Sequence, residues 1–160
     1  MKIFIKSIIL LFIIFIPTIS YAETKYSDLI KPKPTLAPLE VLLIQLNSLK
    51  NNNKPYKDAG IEQTWEFAHP NNKIITGPLD DFKLMLHSEN YKMLIGHEKH
   101  DIEILKETNN AFMFKVSILS KSKKKYYYIW QVEKVFSEDN LKNCWMTTIV
   151  SSPVYIGEVI

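Results

Sequence analysis

The sequence predicts an α+β domain in which three N-terminal helices pack on a curved, four-stranded antiparallel sheet. Apolar residues recur every three or four positions in segments before residue 88, and they alternate with polar residues in segments after residue 97. All helical segments therefore precede all strand segments, which is typical of helices packed on one face of an antiparallel sheet. Aromatic and β-branched residues are frequent in the second half, as a half-buried sheet requires.

The first helix is predicted over residues 38–50. Pro38 suits the first turn of a helix, and leucines follow it at helical spacing. Asn51-Asn52-Asn53 and Pro55 end the helix. The leucines are Leu39, Leu42, Leu43, Leu46 and Leu49. We expect this face of the helix to be buried against the sheet.

The second helix is predicted from an N-cap at Asp58 to His69, because a residue that precedes proline avoids helical angles. Residues 70–77 are rich in turn-forming residues and are predicted to be an irregular link. A third helix is predicted from Pro78 to about Ser88, since apolar residues again recur at helical spacing.

Four strands are predicted after the helices. The first spans residues 97–107 and leads into a hairpin turn at Thr108-Asn109-Asn110. The others span residues 112–118, 126–135 and 143–150. The tail that follows Pro153 is a candidate extension of the last strand.

Residues 1–22 have the pattern of a secretory signal peptide. Lys2 and Lys6 precede an apolar run over residues 8–16, and Ser20-Tyr21-Ala22 provides the small-x-small pattern for cleavage after Ala22. The run is shorter than the roughly 20 residues that a membrane-spanning helix requires. An uncleaved N-terminal anchor is the alternative.

We therefore expect an exported protein, periplasmic or extracellular, with no transmembrane helix after cleavage. Residues 23–37 are rich in proline and lysine and predict an extended tether, and residues 38–156 predict a single α+β domain. The net charge of +3 falls to +1 when Lys2 and Lys6 are removed. A nearly neutral chain gives no electrostatic indication of nucleic-acid binding.

The use of arginine and cysteine excludes some kinds of site. All 20 residues counted as lysine or arginine are lysines, so the chain lacks the planar arginine side chains that clamp carboxylates and phosphates. Cys144 is the only cysteine, so an internal disulfide is impossible. A nucleophilic thiol or an intermolecular disulfide remains open for Cys144, but a small buried residue is the favoured interpretation.

Four short blocks occur in the order known from an uncharacterised family of bacterial and plant proteins. They are Gly60–Asn72, which contains GIEQTWEFA, Thr76–Leu79, Leu94–His97, and Asn143–Thr147, which contains CWMT. Over residues 38 to about 150 the chain thus resembles the domain-of-unknown-function 4864 family. The resemblance implies a cone of the nuclear-transport-factor-2-like (SnoaL-like) type, with a pocket between the concave sheet and the first helix. It implies no activity and no catalytic residues.

His69 and His97 are the candidate general bases, because imidazoles in such a pocket are suited to acid–base catalysis. His69 can equally cap the second helix, and His97 can equally be a packed, hydrogen-bonded histidine. Asp101 and Glu103 alternate with apolar residues in the first strand and are expected to face solvent.

No metal site is predicted. His97 and His100 are three residues apart in a predicted strand, which places their side chains on opposite faces. The zinc-protease motif requires histidines four apart on a helix. No cofactor is predicted either, since the sequence has no Gly-rich phosphate loop, nucleophile elbow or paired-cysteine motif.

Four aromatic residues are candidates for the lining of a pocket, although aromatic side chains in a sheet commonly belong to the core. They are Trp65, Tyr128, Trp130 and Trp145. The observations favour non-catalytic binding of a small ligand or of an envelope protein. A pocket isomerase or hydrolase that uses His97 or His69 is one alternative. A structural, homodimerising envelope protein is the other.

Overall fold

The computed structural model describes residues 29–137 and 139–159, in which helices pack against an antiparallel sheet. The helices are α1 (Pro38–Lys50), α2 (Ala59–Glu66), α3 (Pro70–Thr76) and α4 (Leu79–His87), with a 3₁₀ turn at Lys92–Leu94. The strands are β1 (Lys99–Glu107), β2 (Ala111–Leu119), β3 (Lys124–Lys134), β4 (Trp145–Val150) and β5 (Val154–Glu158). The predicted α+β class is therefore confirmed.

The sheet has the order β1-β2-β3-β4, and every strand pair is antiparallel. β4 pairs with the C-terminal half of β3, and β5 pairs with its N-terminal half. A fifth strand thus joins the four that the sequence predicts, since β3 is longer than β4 and leaves backbone groups for a second partner. β4 begins at Trp145 rather than at the predicted Asn143, because Asn143 has a positive φ of 64°.

The face of α1 that carries Leu42, Leu46 and Leu49 is fully buried. It joins one apolar core with inward-facing side chains of the central strands, which are Phe114, Val116, Ile118, Tyr128, Trp130 and Val132. Full burial of a leucine contributes roughly 1.5–3 kcal/mol. Leu39 is 40% exposed, however, and Gln45 belongs to the buried face. The leucine spacing therefore predicts which face of α1 is buried, but it does not predict that the side-chain amide of Gln45 is buried on that face.

The predicted link over residues 70–77 is instead the helix α3, so the described chain has four α-helices and not three. Pro70 occupies the first helical position and His69 the N-cap. In the sequence, Pro70 indicates the end of the preceding helix, but proline is equally favoured at the start of a helix. None of the side chains of α3 is buried, and Ile74 and Ile75 are 81% and 83% exposed. Without a buried apolar stripe, α3 gives no periodic signal.

Asp58 is the N-cap residue of α2, but its side chain does not cap the helix. It has a φ of 64°, and its carboxylate accepts hydrogen bonds from Asn52 Nδ2 and His87 Nε2, both at 2.9 Å. Burial raises the pKa of this carboxyl, but the bonds from Asn52 and His87 outweigh burial and lower the pKa overall. Asn52 Oδ1 accepts from the Ile61 N–H at 2.9 Å, so these side chains fasten α1 to α2.

The first described residues lie beside α2. The N–H of Ile30 donates to Gln63 Oε1 at 2.7 Å, and Gln63 Nε2 donates to the carbonyl of Ile30 at 2.8 Å. Lys31 forms an ion pair with Glu66 at 2.8 Å. The predicted signal peptide, its cleavage site at Ala22 and the first part of the predicted tether lie outside the described residues. Among the residues that are described, no helix has the length and apolar character to cross a membrane.

Gly60 lies where the start of α2 crosses the end of α1, and its N–H donates to the Asn52 carbonyl at 2.9 Å. A Cβ atom here would collide with the Ser48 carbonyl group and lie 2.8 Å from Asn52 Cα.

We expect Gly60→Ala to lower the free energy of unfolding by roughly 3 kcal/mol, because the atoms in the way belong to the backbone and cannot turn aside as a side chain can. Asn47→Ala, on the exposed surface of α1, should change it by less than about 0.5 kcal/mol. Urea denaturation measures both variants, and equal stabilities would contradict the close approach.

Candidate functional site

A cavity of about 280 Å³ lies between the helical layer and the sheet. All four α-helices contribute to its walls, together with β3, β4 and the 3₁₀ turn. Its largest apolar side chains are Phe82, Met85, Leu86, Leu94 and Trp130. Ile75 on α3 and Ile149 on β4 also line the cavity and are 83% and 50% exposed. The cavity therefore opens between α3 and β4.

A chain of hydrogen bonds forms the buried polar part of the cavity wall. Trp130 Nε1 donates to Thr147 Oγ1 at 3.0 Å, and Thr147 Oγ1 donates to Gln45 Oε1 at 2.7 Å. Gln45 Nε2 then donates to the Thr64 carbonyl at 3.2 Å. All four residues are buried, so water does not compete for these bonds. The chain joins β3 and β4 to α1 and α2.

The backbone of Thr147 also connects the sheet to the helices. Its N–H donates to the Phe67 carbonyl, and its carbonyl accepts from the His69 N–H, each at 2.8 Å. Ala68 thereby forms an isolated parallel bridge with Thr147. Asn72 Nδ2 donates a longer hydrogen bond, of 3.4 Å, to the same carbonyl. These bonds fix the start of α3 to β4 and place α3 at the mouth of the cavity.

The cavity wall, as far as the structure describes it, carries no formal charge. None of the described residues that line it is an aspartate, glutamate, lysine or histidine. Tyr91 is the titratable side chain in the described wall; its hydroxyl donates to the Val150 carbonyl at 3.2 Å, and burial raises its pKa. The phenol therefore stays neutral at physiological pH. This wall lacks a side chain poised for general acid–base catalysis near neutral pH.

Trp130 and Tyr128, two of the candidate pocket residues, lie next to each other on the inner face of β3 but have different surroundings. Trp130 lines the cavity. Tyr128 does not line it and is fully buried in the core. The ring of Tyr128 stacks on Tyr91 at a centroid distance of 6.4 Å, and its hydroxyl donates to the Asn90 carbonyl at 3.1 Å. Tyr128 thus supports the wall residue Tyr91 from behind.

Trp65 and Trp145, the other two candidates, also lie outside the cavity lining. The ring of Trp65 packs on Phe82 at a centroid distance of 5.0 Å, with Lys73 Nζ at 5.0 Å from the Trp65 ring. Trp145 meets the ring of Phe112 edge-on at 5.4 Å. Since Phe82 belongs to the cavity wall, Trp65 supports that wall, whereas Trp145 belongs to a separate aromatic contact.

A second, open groove of about 430 Å³ lies beside the start of α3. His69 lines it together with Glu133, Asn110 and the exposed Phe136. His69 Nδ1 accepts a hydrogen bond from the Asn71 N–H at 3.1 Å, so the neutral ring carries its proton on Nε2. Burial lowers the pKa of His69, and the charge of Glu133 opposes this effect. His69 is thus a neutral imidazole in a groove that also holds a carboxylate.

His97 lies in the core and lines neither the cavity nor the groove. Its Nδ1 is 2.7 Å from the Leu94 carbonyl, and its Nε2 is 2.7 Å from His100 Nδ1. The Leu94 carbonyl can only accept, so His97 donates to it from Nδ1, and a neutral His97 then accepts from His100 at Nε2. Burial, as the largest cause, lowers the pKa of His97 to about 4, although the bond to Leu94 raises it.

The prediction that His97 and His100 face opposite sides of a strand is wrong, because their ring nitrogens are within hydrogen-bond distance. His97 precedes β1, which begins at Lys99, and Gly96 before it has a positive φ of 64°. Side chains alternate only within a strand, so the rule does not apply to this pair. In the described part of the chain, no group of three or more His, Cys, Asp or Glu side chains is placed to hold a metal.

Three further residues considered in the sequence lie outside both the cavity and the groove. Cys144 is fully buried, and burial raises the pKa of its thiol. Asp101 and Glu103 are exposed, as expected. Asp101 pairs with Lys99 at 3.3 Å, and Glu103 pairs with Lys115 at 3.5 Å.

Trp130 is the one candidate pocket residue from the sequence that lines the cavity; the sequence does not predict the other residues that shape it. Gln45 could have been found, because a polar residue between buried leucines on one helix face indicates a buried hydrogen bond. Ile75 could have been noticed as half of an isoleucine pair in a segment without apolar periodicity. Thr147 gives no such signal, because threonine is common in strands. Tyr91 and Asn72 likewise lie in segments without a pattern.

Comparison with known proteins gives no relative. No protein-family model matches the chain, and comparisons with curated proteins and with solved structures give no significant match. The resemblance to the domain-of-unknown-function 4864 family therefore rests on its sequence blocks alone and stays a prediction.

We expect Thr147→Val to lower the free energy of unfolding by about 1–3 kcal/mol, because it leaves the buried Trp130 N–H and Gln45 Oε1 without their partner. Thr148→Val is the matched control, since Thr148 is half-buried and its hydroxyl makes only a 3.5 Å contact with the Gln131 carbonyl. The control should stay within about 0.5 kcal/mol of wild type. Chemical denaturation compares them, and a stable Thr147→Val protein would show that the hydrogen-bond chain does not stabilise the fold.

Stability should fall as the pH is lowered from 6.5 to about 4, because His97 is protonated in the unfolded chain but neutral in the folded one. The full stability is present above pH 6.5, and the loss is complete below about pH 4, where both states are protonated. This shift corresponds to roughly 3 kcal/mol. The pKa values of His69 and His100 are lowered as well, so these histidines add to the slope of stability against pH.

Urea midpoints measured across this pH range provide the test. His97→Gln should flatten the slope while the contributions of the other histidines remain. A slope that is the same in His97→Gln and in wild type would contradict the assignment to His97.

Proposed function

We propose that this protein is an exported, non-catalytic accessory domain that binds a small apolar molecule in the cavity between its helices and its sheet. The observation that carries the proposal is the cavity wall, which encloses about 280 Å³ of largely apolar space and has no charged side chain among its described residues. Ligand sites are commonly concave, mostly apolar and equipped with a few fixed polar groups. The polar groups of this wall can orient a ligand, but none is suited to move a proton at neutral pH.

The hydrogen-bond chain supports a preformed site. Gln45 and Thr147 reach across from helix to sheet, and Trp130 holds Thr147 from the neighbouring strand. Collapse of the cavity would separate these buried partners, which costs about 1–3 kcal/mol for each group left unpaired. A site that is held open in this way requires little reorganisation when a ligand enters.

We also propose the SnoaL-like cone as the finer fold assignment. It is supported by the position of α1, which packs against β3 and β4, and by the cavity that lies between the helices and these strands. The sequence blocks that resemble the domain-of-unknown-function 4864 family support it independently.

A pocket isomerase or hydrolase with His69 or His97 as general base is less well supported. A general base requires a ring nitrogen with a free lone pair directed at the substrate. His69 Nδ1 already accepts from the Asn71 N–H, and His97 uses both ring nitrogens inside the core. The groove beside His69 is the place where such an activity would have to occur, since Glu133 lies there as well.

Ala68 provides a test of binding in the cavity, because it lines the cavity and is 2% exposed. We expect small neutral compounds to raise the Tm of the wild-type protein and to change its tryptophan fluorescence, since Trp130 lines the cavity. Ala68→Met fills the cavity from the helical side and Val150→Phe fills it from β4, so both should abolish these effects. Ala111→Met should leave them unchanged, since Ala111 lines the groove instead.

Two results would contradict the proposal. One is the absence of any thermal shift in wild type with a broad panel of neutral compounds. The other is a ligand that is lost in Ala111→Met but retained in Ala68→Met and Val150→Phe, because such a ligand binds in the groove.

Export is part of the proposal and is supported by the pattern of residues 1–22. The full chain expressed in a bacterium should be recovered outside the cytoplasm, with an intact mass that corresponds to a start at Glu23. Ala22→Trp removes the small residue that the peptidase requires and should leave the precursor uncleaved. Full-length wild-type protein in the cytoplasmic fraction would contradict export.

A further inference from the structure

We infer that the ligand of the cavity is an uncharged, flat aromatic molecule with one N–H or O–H group, which the side-chain amide of Asn72 binds. The inference rests on the proposed function, because it names the class of molecule that the same cavity takes. Three properties of the wall lead to it: its charge, the shape of its apolar side chains and the hydrogen-bonding groups that its own contacts leave open.

The charge of the wall excludes an ionised group on the part of the ligand inside. No aspartate, glutamate, lysine or histidine is among the described lining residues, and burial keeps the Tyr91 phenol neutral. An ionised carboxylate, sulfonate or ammonium would therefore lose its hydration without gaining a partner of opposite charge. The free-energy cost of such burial is several kcal/mol even after the protein relaxes.

The size and the side chains of the cavity favour a flat molecule of about two rings. An apolar cavity of about 150 Å³ holds one benzene, and this cavity is nearly twice as large, at about 280 Å³. Phe82, Tyr91 and Trp130 present aromatic surface from α4, from the segment after it and from β3. Aromatic rings prefer offset-stacked or edge-on contacts with other rings. Met85 adds a flexible thioether, which also packs well on aromatic rings.

The open hydrogen-bonding groups of the wall belong mainly to Asn72. The Thr147 hydroxyl donates to Gln45, Gln45 Oε1 thereby has its donor, and the Tyr91 hydroxyl donates to Val150. Asn72 Nδ2 makes one hydrogen bond of 3.4 Å, a length at which such bonds are weak. Its Oδ1 has no donor among the described residues. Asn72 is half-buried on α3, at the mouth of the cavity, and is therefore placed to accept from a ligand N–H or O–H.

The first experiment tests charge with two fluorescent probes of the same ring system. N-phenylnaphthylamine is neutral and carries one N–H; its naphthyl group is the flat two-ring part that fits the cavity, and its phenyl ring is left at the open mouth. Anilinonaphthalene sulfonate adds a sulfonate to the naphthyl group. We expect the neutral probe to bind the folded protein at least about tenfold more tightly than the sulfonate. Energy transfer from the tryptophans of the protein to the probe reports binding. Ala68→Met and Val150→Phe should both abolish binding of the neutral probe, whereas Ala111→Met should not.

The second experiment tests Asn72 with indole and indene, which share a fused bicyclic shape but differ in the N–H. Each displaces N-phenylnaphthylamine, and the ratio of their affinities is the measured quantity. Asn72→Leu should shift this ratio against indole by about three- to tenfold, as expected for the loss of one hydrogen bond. Asn71→Leu is the matched control, because Asn71 is the exposed neighbour on the same helix and lines the groove rather than the cavity. Circular dichroism and Tm confirm that both variants fold.

The outcomes separate this inference from the proposed function. If the sulfonate binds as tightly as the neutral probe and Ala68→Met abolishes both, the inferred ligand class is wrong while binding in the cavity stands. The inferred ligand class is also wrong, while binding in the cavity stands, if a compound of another class binds in the cavity and the neutral probe does not. If the indole-to-indene ratio is equal in wild type and Asn72→Leu, the role of Asn72 is wrong. If the neutral probe binds equally well to Ala68→Met and Val150→Phe, both the inference and the proposed function fail.

Discussion

Thr147 is the residue on which the arrangement of the two layers depends. Its backbone bonds the segment between α2 and α3, and its hydroxyl accepts from Trp130 and donates to Gln45. Because Thr147 is 3% exposed, none of these groups can exchange its partner for water without a cost in free energy. The distance between sheet and helices is therefore set by directional polar contacts as well as by the packing of leucines.

The cavity follows from where this connection lies. Leu42, Leu46 and Leu49 of α1 fill the space above the central strands. α3 continues the helical layer toward the mouth of the cavity but has no buried side chain with which to fill the space below it. Its start is held on β4 through the bond from His69 to Thr147, so it cannot move inward to close the gap. An apolar space consequently remains between α3, α4 and β4.

The sequence predicts those parts of the fold in which burial follows a period, such as the leucines of α1 and the alternation along β2 and β3. It does not predict α3, which has no fully buried side chain, or the contact between His97, which precedes β1, and His100 within β1. The candidate site is less predictable still. Gln45 and Thr147 are 102 positions apart, and neither has a local pattern that marks the other. Trp130 and Tyr128 share one strand face, and only tertiary packing decides that Trp130 meets open space while Tyr128 meets side chains.

The division of the edge of β3 between β4 and β5 has a consequence for self-association. The break between these two short strands, at residues 151–153, interrupts that border of the sheet, so an incoming strand finds no long, continuous row of backbone groups to pair with. The opposite border is β1, where exposed Lys99, Asp101 and Glu103 carry charges of both signs. Both borders thus discourage the strand-by-strand growth that leads to fibrous aggregates, and they do so in a chain that has no internal disulfide to keep its sheet from opening.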